Sequence, residues 1–160
     1  MRVRKRNRML GYDYSQDNLY FVTICLKDMV CTFVNVENKQ MLLNSYGEIV
    51  KKQWFWLTEQ YSYIELHAFV VMPNHIHGII EIKRNKAMID NQKIKPLSQL
   101  IGALKTTSSK QIHLLGESDF VWHRSFHDHI ILNEEAFDKI SKYIENNPMK
   151  WKEDKFSVNH

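Results

Sequence analysis

The sequence is poor in features that mark secreted, membrane-spanning or low-complexity proteins. Its 160 residues include only two cysteines, Cys25 and Cys31, both among apolar residues. Two cysteines are too few for a disulfide framework, so we expect reduced core thiols in a cytoplasmic protein. No apolar run approaches the length of a membrane-spanning helix, and the N-terminus lacks the apolar stretch of a secretory signal. We therefore expect neither membrane attachment nor secretion.

The composition indicates one globular domain, residues 1–160. The net positive charge favours a polyanionic partner. Apolar residues make up 44% of the chain and aromatic residues 12%, which is enough for a core. Lysine and arginine number 22 against 18 acidic residues, so the net charge is +4. A basic arm of about residues 1–10 suits phosphate contacts, although it could equally be a solubilising tail. Its basic residues are Arg2, Arg4, Lys5, Arg6 and Arg8.

The most informative stretch is Met72-Pro73-Asn74-His75-Ile76-His77-Gly78. Pro73-Asn74 is a turn signal between two apolar runs that resemble strands. Because strand side chains alternate between faces, His75 and His77 point the same way and Ile76 points into the core. Two neighbouring imidazoles can bind a divalent cation. They can equally be half-exposed histidines at a strand end, since two ligands do not make a site.

The order of predicted elements is strand, helix, strand, strand, helix, strand, followed by a last helix. This is the β-α-β-β-α-β pattern of an α+β, ferredoxin-like sheet, in which the histidine-bearing strand is central. The predicted strands are Leu19–Leu26, a shorter one in Val30–Val36, Met41–Leu43, Ile64–Met72, His75–Ile82 and part of Phe120–Leu132. The predicted helices begin at Asn44 or Ser45, at Pro96 and at Asn133, with a loop at Lys83–Lys95 and a last helical end at Asn147-Pro148.

The last helix carries two polar residues beside its apolar stripe. Tyr143 and Asn147 lie one helical turn apart on one face. If this helix packs beside the histidine strand, Asn147 can offer an amide oxygen to a cation, and Tyr143 can hold its hydroxyl next to a bound phosphate. The predicted buried stripe consists of Ala136, Phe137, Ile140 and Ile144.

Two motifs together resemble a known family. The stretch 72–78 is similar to the histidine-hydrophobe-histidine motif of the single-tyrosine HUH transposases. Tyr143-Ile144-Glu145-Asn146-Asn147-Pro148 resembles the tyrosine motif of their chromosomal relatives, the REP-associated tyrosine transposases. Further similarity, over Gly11–Tyr14, Tyr20–Cys25 and Trp122–His129, extends the resemblance to nearly the whole chain.

The resemblance implies a function and a set of residue roles. His75 and His77 would bind Mg²⁺ or Mn²⁺, Asn147 would be the third ligand, and Tyr143 would be the nucleophile. Members of the family cut single-stranded DNA near hairpins through a 5′-phosphotyrosine and can rejoin strands. The expected partner is therefore single-stranded DNA with REP-like or transposon-end hairpins. The expected location is the cytoplasm, in association with the nucleoid. The sequence leaves open a monomer or a homodimer that exchanges its tyrosine helix.

Further polar residues are candidates for the DNA path, each with an alternative. His127 and His129 have strand spacing, so they could form a second cation pair or a plain polar strand edge. Lys105 could contact phosphate or lie on a solvated helix face, and His67 is expected to be a hydrogen-bonded structural histidine. The DNA-binding candidates outside the basic arm are Lys105, Arg124, His127 and His129.

Two other functions compatible with the sequence differ in their chemistry. A domesticated, catalytically silent protein could bind hairpins and act as a regulator. A metal-dependent hydrolase could cut DNA without using Tyr143 as a nucleophile.

Overall fold

The computed structural model describes residues 18–38 and 40–154, the last six of them as backbone only. The predicted basic arm and the Gly11–Tyr14 motif lie outside these residues, as does Lys39. Six strands and four helices are described, together with a 3-10 turn at Lys27–Met29. The strands are β1 (Asn18–Cys25), β2 (Val34–Glu37), β3 (Gln40–Leu43), β4 (Ile64–Met72), β5 (His75–Ile82) and β6 (His127–Ile131). The helices are α1 (Ser45–Gln60), α2 (Arg84–Ile89), α3 (Leu97–Leu115) and α4 (Glu134–Asp154).

The main sheet confirms the ferredoxin-like prediction. Its four strands lie in the order β4-β5-β1-β6, and every neighbouring pair is antiparallel. β5, which carries the two histidines, lies between β4 and β1 and is therefore central, as predicted. A central strand is hydrogen-bonded on both sides, so its side chains start from a fixed backbone. β2 and β3 form a separate two-stranded hairpin.

Each face of the main sheet is covered by a different set of helices. On one face, α1 and α3 pack over the large core cluster that contains Tyr20, Ile76 and Trp54. On the other, called here the α4 face, Ile79 and Ile131 pack against α4. The helical residues in that contact are the predicted stripe: Ala136, Phe137, Ile140 and Ile144.

The start of α1 confirms the predicted cap. The Asn44 side-chain oxygen accepts hydrogen bonds from the backbone N–H groups of Tyr46 and Gly47, both at 3.0 Å. These bonds satisfy two of the donors that a helix leaves unpaired at its N-terminus. Asn133 does the same for α4, accepting from the N–H of Ala136 at 2.8 Å.

Four local predictions are corrected by the structure. The segment Lys83–Lys95 is not a plain loop, because it contains α2, whose Ala87 is buried. The strand predicted in Val30–Val36 begins only at Val34, and it pairs with β3. Cys31 is exposed rather than a core thiol, and Cys25 is half-buried.

The fourth correction concerns the end of α4. The helix continues through Pro148 to Asp154 instead of ending at Asn147-Pro148. Proline disfavours helical geometry at the preceding residue and removes one backbone hydrogen bond, yet it does not exclude a helix. Here the turn before it is held by Ile144, which is fully buried against the sheet.

Gly78 in β5 is required by the packing of Trp54. A Cβ added at Gly78 would lie 2.3 Å from the Trp54 ring, which is itself fully buried and stacked on Phe69. A fully buried indole that is stacked on another ring cannot move away cheaply. We expect Gly78→Ala to reduce the free energy of unfolding by about 1–3 kcal/mol, measured by urea denaturation.

Gly102 in α3 provides the control for this substitution. An added Cβ there meets nothing within 4 Å. Gly102→Ala should leave stability unchanged or raise it by up to about 1 kcal/mol, because alanine favours the helix. Equal midpoints for Gly78→Ala and the wild type would refute the proposed steric requirement.

Candidate active site

The centre of the candidate site is the pair His75 and His77, called here the histidine pair. The Pro73-Asn74 turn joins Met72 of β4 to His75, the first residue of β5. As predicted from their spacing, both imidazoles lie on one face of the sheet. Their ring centroids are 4.6 Å apart and their Nε2 atoms 3.1 Å apart. His77 is 6% exposed, so the pair is set into the protein rather than lying on its surface.

Burial keeps the histidine pair uncharged at neutral pH. It lowers the pKa of His75 to about 4. It also lowers the pKa of His77, to about 3, with a further contribution from the neighbouring His75. Both values lie well below 7, because burial removes hydration from the charged imidazolium and so disfavours it. Neutral imidazoles retain a ring-nitrogen lone pair, which a metal ligand needs.

Two further side chains fix the orientation of the imidazoles. Nδ1 of His75 is hydrogen-bonded to Oδ1 of Asn74 at 2.7 Å. Nδ1 of His77 is hydrogen-bonded to Oγ1 of Thr23 at 2.8 Å. Thr23 lies on β1 directly opposite His77. The sequence analysis assigned neither residue to the site. Asn74 was predicted only as part of a turn, and nothing local in the chain indicates that Thr23 and His77 are strand partners.

Tyr143 comes from α4 and lies against the histidine pair. Its ring centroid is 5.5 Å from that of His77 and 6.2 Å from that of Phe21, with the rings edge to face. The side chain is nevertheless 45% exposed, so one side of it is open to solvent. The structure thus brings together the tyrosine and the histidines that the sequence placed in one site.

Asn147 lies one helical turn beyond Tyr143 and is 9% exposed. Its Nδ2 donates a hydrogen bond to the Tyr143 carbonyl at 3.2 Å. In the described part of the chain, this amide is therefore linked to the tyrosine rather than to either histidine. Its predicted role as the third cation ligand stays a prediction.

The histidine pair fits a divalent cation. Two adjacent ligands of an octahedral ion, each about 2.1 Å from it, lie about 3.0 Å apart. The observed Nε2 separation of 3.1 Å agrees with that arrangement. The donor set is also suitable, since both nitrogens belong to neutral imidazoles whose other nitrogen is hydrogen-bonded, as is usual for metal-binding histidines.

A second group of potential ligands lies elsewhere on the α4 face. Glu65, His67 and Glu81 each offer an atom within 4.8 Å of the others. Nε2 of His67 is already bonded to Glu81 at 3.0 Å, which confirms the expected hydrogen-bonded histidine. Lys83 is paired with Glu65, and its hydrogen bond lowers the pKa of that carboxyl. These internal partners satisfy the group without a cation, so the histidine pair is the better candidate.

The DNA-binding candidates within the described residues differ in exposure and in hydrogen bonding. His127 and His129 are exposed on β6, opposite Thr23 and Phe21 of β1, and so share the α4 face with the histidine pair. Arg124 is exposed just before β6. Nζ of Lys105 donates to the carbonyls of His123 at 2.7 Å and Ser125 at 3.2 Å, which ties α3 to this segment. Contact of these residues with DNA stays a prediction.

None of the helices in the described ranges combines the length and the apolar character that crossing a bilayer requires.

Comparison with known proteins identifies the family. Residues 29–147 match the family model described as "Transposase IS200 like". A protein of Haemophilus influenzae described as uncharacterized is 34% identical over 168 residues, covering 97% of this chain and 93% of its own. A second protein of that organism, provisionally named a REP-associated tyrosine transposase, is 26% identical over 149 residues, covering 86% of this chain and 74% of its own.

A solved structure supports the same assignment at the level of the fold. It is a REP-associated tyrosine transposase bound to a REP hairpin, with a TM-score of 0.62 and 20% identity. The alignment covers 94% of this chain and 74% of that chain. The matched residues make up most of the sequence and include both the histidine pair and Tyr143. The chain therefore belongs to the IS200-like transposase family and has a transposase-like role in DNA processing.

Proposed function

We propose that this protein cuts and rejoins single-stranded DNA near hairpins, using a divalent cation and Tyr143 as the nucleophile. The observation that carries the proposal is the contact between Tyr143 and His77, whose ring centroids are 5.5 Å apart although the residues are distant in the sequence. In this contact, a potential nucleophile lies next to a potential cation site. The solved relative bound to a REP hairpin supports a hairpin as the partner.

The structure suggests how this chain would prepare the tyrosine. Edge contacts from Phe21 and His77 restrict the Tyr143 ring, while its exposed side is open to an incoming strand. Restricting a nucleophile before the substrate arrives lowers the entropic cost of reaching the reactive geometry. In this proposal the histidine pair binds Mg²⁺ or Mn²⁺, and Asn147 is the third ligand. That cation would supply positive charge next to the scissile phosphate.

The proposed reaction exchanges one phosphate ester for another. Oη of Tyr143 bonds to phosphorus as the bond from phosphorus to the 3′ oxygen breaks. The phenol loses its proton to solvent, and the departing 3′ oxygen gains one. The product is a 5′-phosphotyrosine with a free 3′-hydroxyl, which can later attack that bond and rejoin the strands. Because the ester bond energy is conserved in the intermediate, rejoining requires no ATP.

Charge and exposure indicate where the DNA would lie. Arg124, His127 and His129 are exposed, and the two histidines share the face of the histidine pair. We propose that they line the path of the strand, with the basic arm adding phosphate contacts. Such contacts would position the backbone without selecting a sequence.

The test uses single-stranded oligonucleotides that contain a hairpin with randomised flanking bases, labelled on the 3′ side. With Mn²⁺, we expect a labelled band that remains linked to the protein on a denaturing gel. EDTA, and a strand of equal length without a hairpin, should both give no such band. Tight hairpin binding without the band would favour a regulatory protein. A free 5′-phosphate product without the band would favour a hydrolase.

A further inference from the structure

Lys105 of α3 holds the backbone on both sides of Arg124. Nζ of Lys105 donates to the carbonyl oxygen of His123 at 2.7 Å and to that of Ser125 at 3.2 Å. The same Nζ lies 6.0 Å from the centroid of the Phe126 ring, a distance at which an aromatic ring attracts a cation. The backbone N–H of Ser125 also donates to Nδ1 of His123, 3.2 Å away, across the same bend. Because the two carbonyls belong to the residues before and after Arg124, one ammonium restricts the backbone conformation at this position.

The segment that leads to Arg124 is fixed by other contacts. The backbone N–H of His123 donates to the carbonyl of Cys25, at the end of β1, at 2.8 Å. Nε1 of Trp122, which is buried, donates to Oγ of Ser108 in α3 at 3.0 Å. These bonds hold the chain up to His123 without the lysine. The bonds from the lysine add a restraint, from another element of the fold, on the bend at Arg124 itself.

The bend at Arg124 lies at the same end of the sheet as the histidine pair. Cys25, to which the segment is hydrogen-bonded, is the strand partner of His75. The segment then enters β6, where His127 lies opposite Thr23. Arg124 is exposed, and among the side chains that the structure describes none forms an ion pair with it. A guanidinium has five N–H donors in one plane and can bind a phosphate through two of them at once. Arg124 is therefore available for a phosphate of a DNA strand at the candidate active site.

We propose that Lys105 is a positioning residue, which holds Arg124 for contact with a phosphate of the DNA strand and does not bind DNA itself. A two-point contact with phosphate requires one orientation of the guanidinium, and a restrained backbone lowers the entropy lost on reaching it. The ammonium of Lys105 already has two backbone acceptors, which a phosphate would have to displace. The inference rests on the single-stranded DNA partner of the proposed function.

A double-mutant cycle on the full chain tests this role. Binding of a fluorescent hairpin oligonucleotide with single-stranded flanks is measured by anisotropy in EDTA, where the proposed cleavage cannot occur. We expect Arg124→Gln to weaken binding about tenfold and Lys105→Met to weaken it about three- to tenfold. The double variant should bind as Arg124→Gln alone does, within about twofold, because the lysine acts through the arginine.

The salt dependence of binding separates positioning from direct contact. Each lost phosphate contact lowers the slope of log affinity against log salt concentration by about one. We expect this decrease in Arg124→Gln and no further decrease in the double variant. Losses of affinity that multiply in the double variant, or a second decrease of the slope, would show that Lys105 acts independently of Arg124 and would overturn the proposal. Wild-type affinity in Arg124→Gln would overturn it too.

Lys110→Met is the matched control, since it removes an exposed lysine from the same helix. Its effect on affinity, whatever the size, should multiply with that of Arg124→Gln. Coupling as strong as that of Lys105→Met would attribute the result to net charge and overturn the proposal. Lys105→Gln, which keeps a neutral donor, replaces Lys105→Met in the cycle if urea denaturation shows that the methionine variant is not folded. A wild type that does not bind the hairpin would overturn the proposed function together with this inference, whereas independent effects in a protein that binds it would overturn the inference alone.

Discussion

Replacing Tyr143 with phenylalanine is expected to abolish the protein-linked DNA product and to reduce cleavage at least about a thousandfold. The substitution removes only the hydroxyl, and the edge contacts of the ring with Phe21 and His77 can remain. Because the side chain is 45% exposed, little buried polar area is disturbed. Fold stability and hairpin affinity should therefore stay close to the wild type. The measurement is the yield of labelled adduct on a denaturing gel.

Tyr61→Phe is the matched control for Tyr143→Phe. It also removes one phenolic hydroxyl, but Tyr61 packs against the core cluster on the opposite side of the sheet. We expect it to form adduct at the wild-type rate. If the Tyr143 variant produces as much protein-linked DNA as this control, Tyr143 is not the nucleophile.

Replacing His77 with alanine is expected to reduce Mn²⁺-dependent cleavage by at least about a hundredfold and to weaken Mn²⁺ binding. The substitution removes one Nε2 of the pair and the ring that contacts Tyr143. It therefore disturbs both the proposed cation site and the position of the phenol. Cleavage and Mn²⁺ affinity should be measured together, because a loss of cleavage alone would indicate only the second effect.

His67→Ala provides a control that also separates the two groups of potential ligands. His67 lies on the neighbouring strand, bonded to Glu81 and against Phe137 of α4. We expect this variant to bind Mn²⁺ as the wild type does and to retain cleavage. The reverse pattern, with Mn²⁺ binding lost in His67→Ala and kept in His77→Ala, would place the cation at the Glu65–His67–Glu81 group.

Local patterns in the sequence account for most of the architecture. Apolar runs and β-branched and aromatic residues predicted strands of the main sheet. Asn44 (or Ser45) and Asn133 were predicted as caps. The two-residue spacing of His75 and His77 placed both rings on one face. Each of these features depends on neighbours within a few residues, so the chain itself carries the information.

Other local predictions were wrong where packing outweighed local preference. Pro148 was expected to end α4, yet the helix continues after a turn anchored by Ile144. The polar segment after β5 was expected to be a loop, but Ala87 is buried and a short helix forms around it. In both cases the helix includes an apolar side chain that is buried, and the local sequence pattern did not indicate that the helix would form or continue there.

The sequence by itself determined the order of the main-sheet strands and of the three long helices, the common face of the histidines and the family resemblance. Only the tertiary structure decided that Tyr143 contacts His77, that Thr23 and Asn74 hold the two imidazoles, and that Lys105 is bonded to backbone carbonyls. The physical reason is the range of the interactions. Spacing along a helix or strand is set by local backbone geometry, whereas contacts between β1, β5 and α4 depend on how the whole core packs.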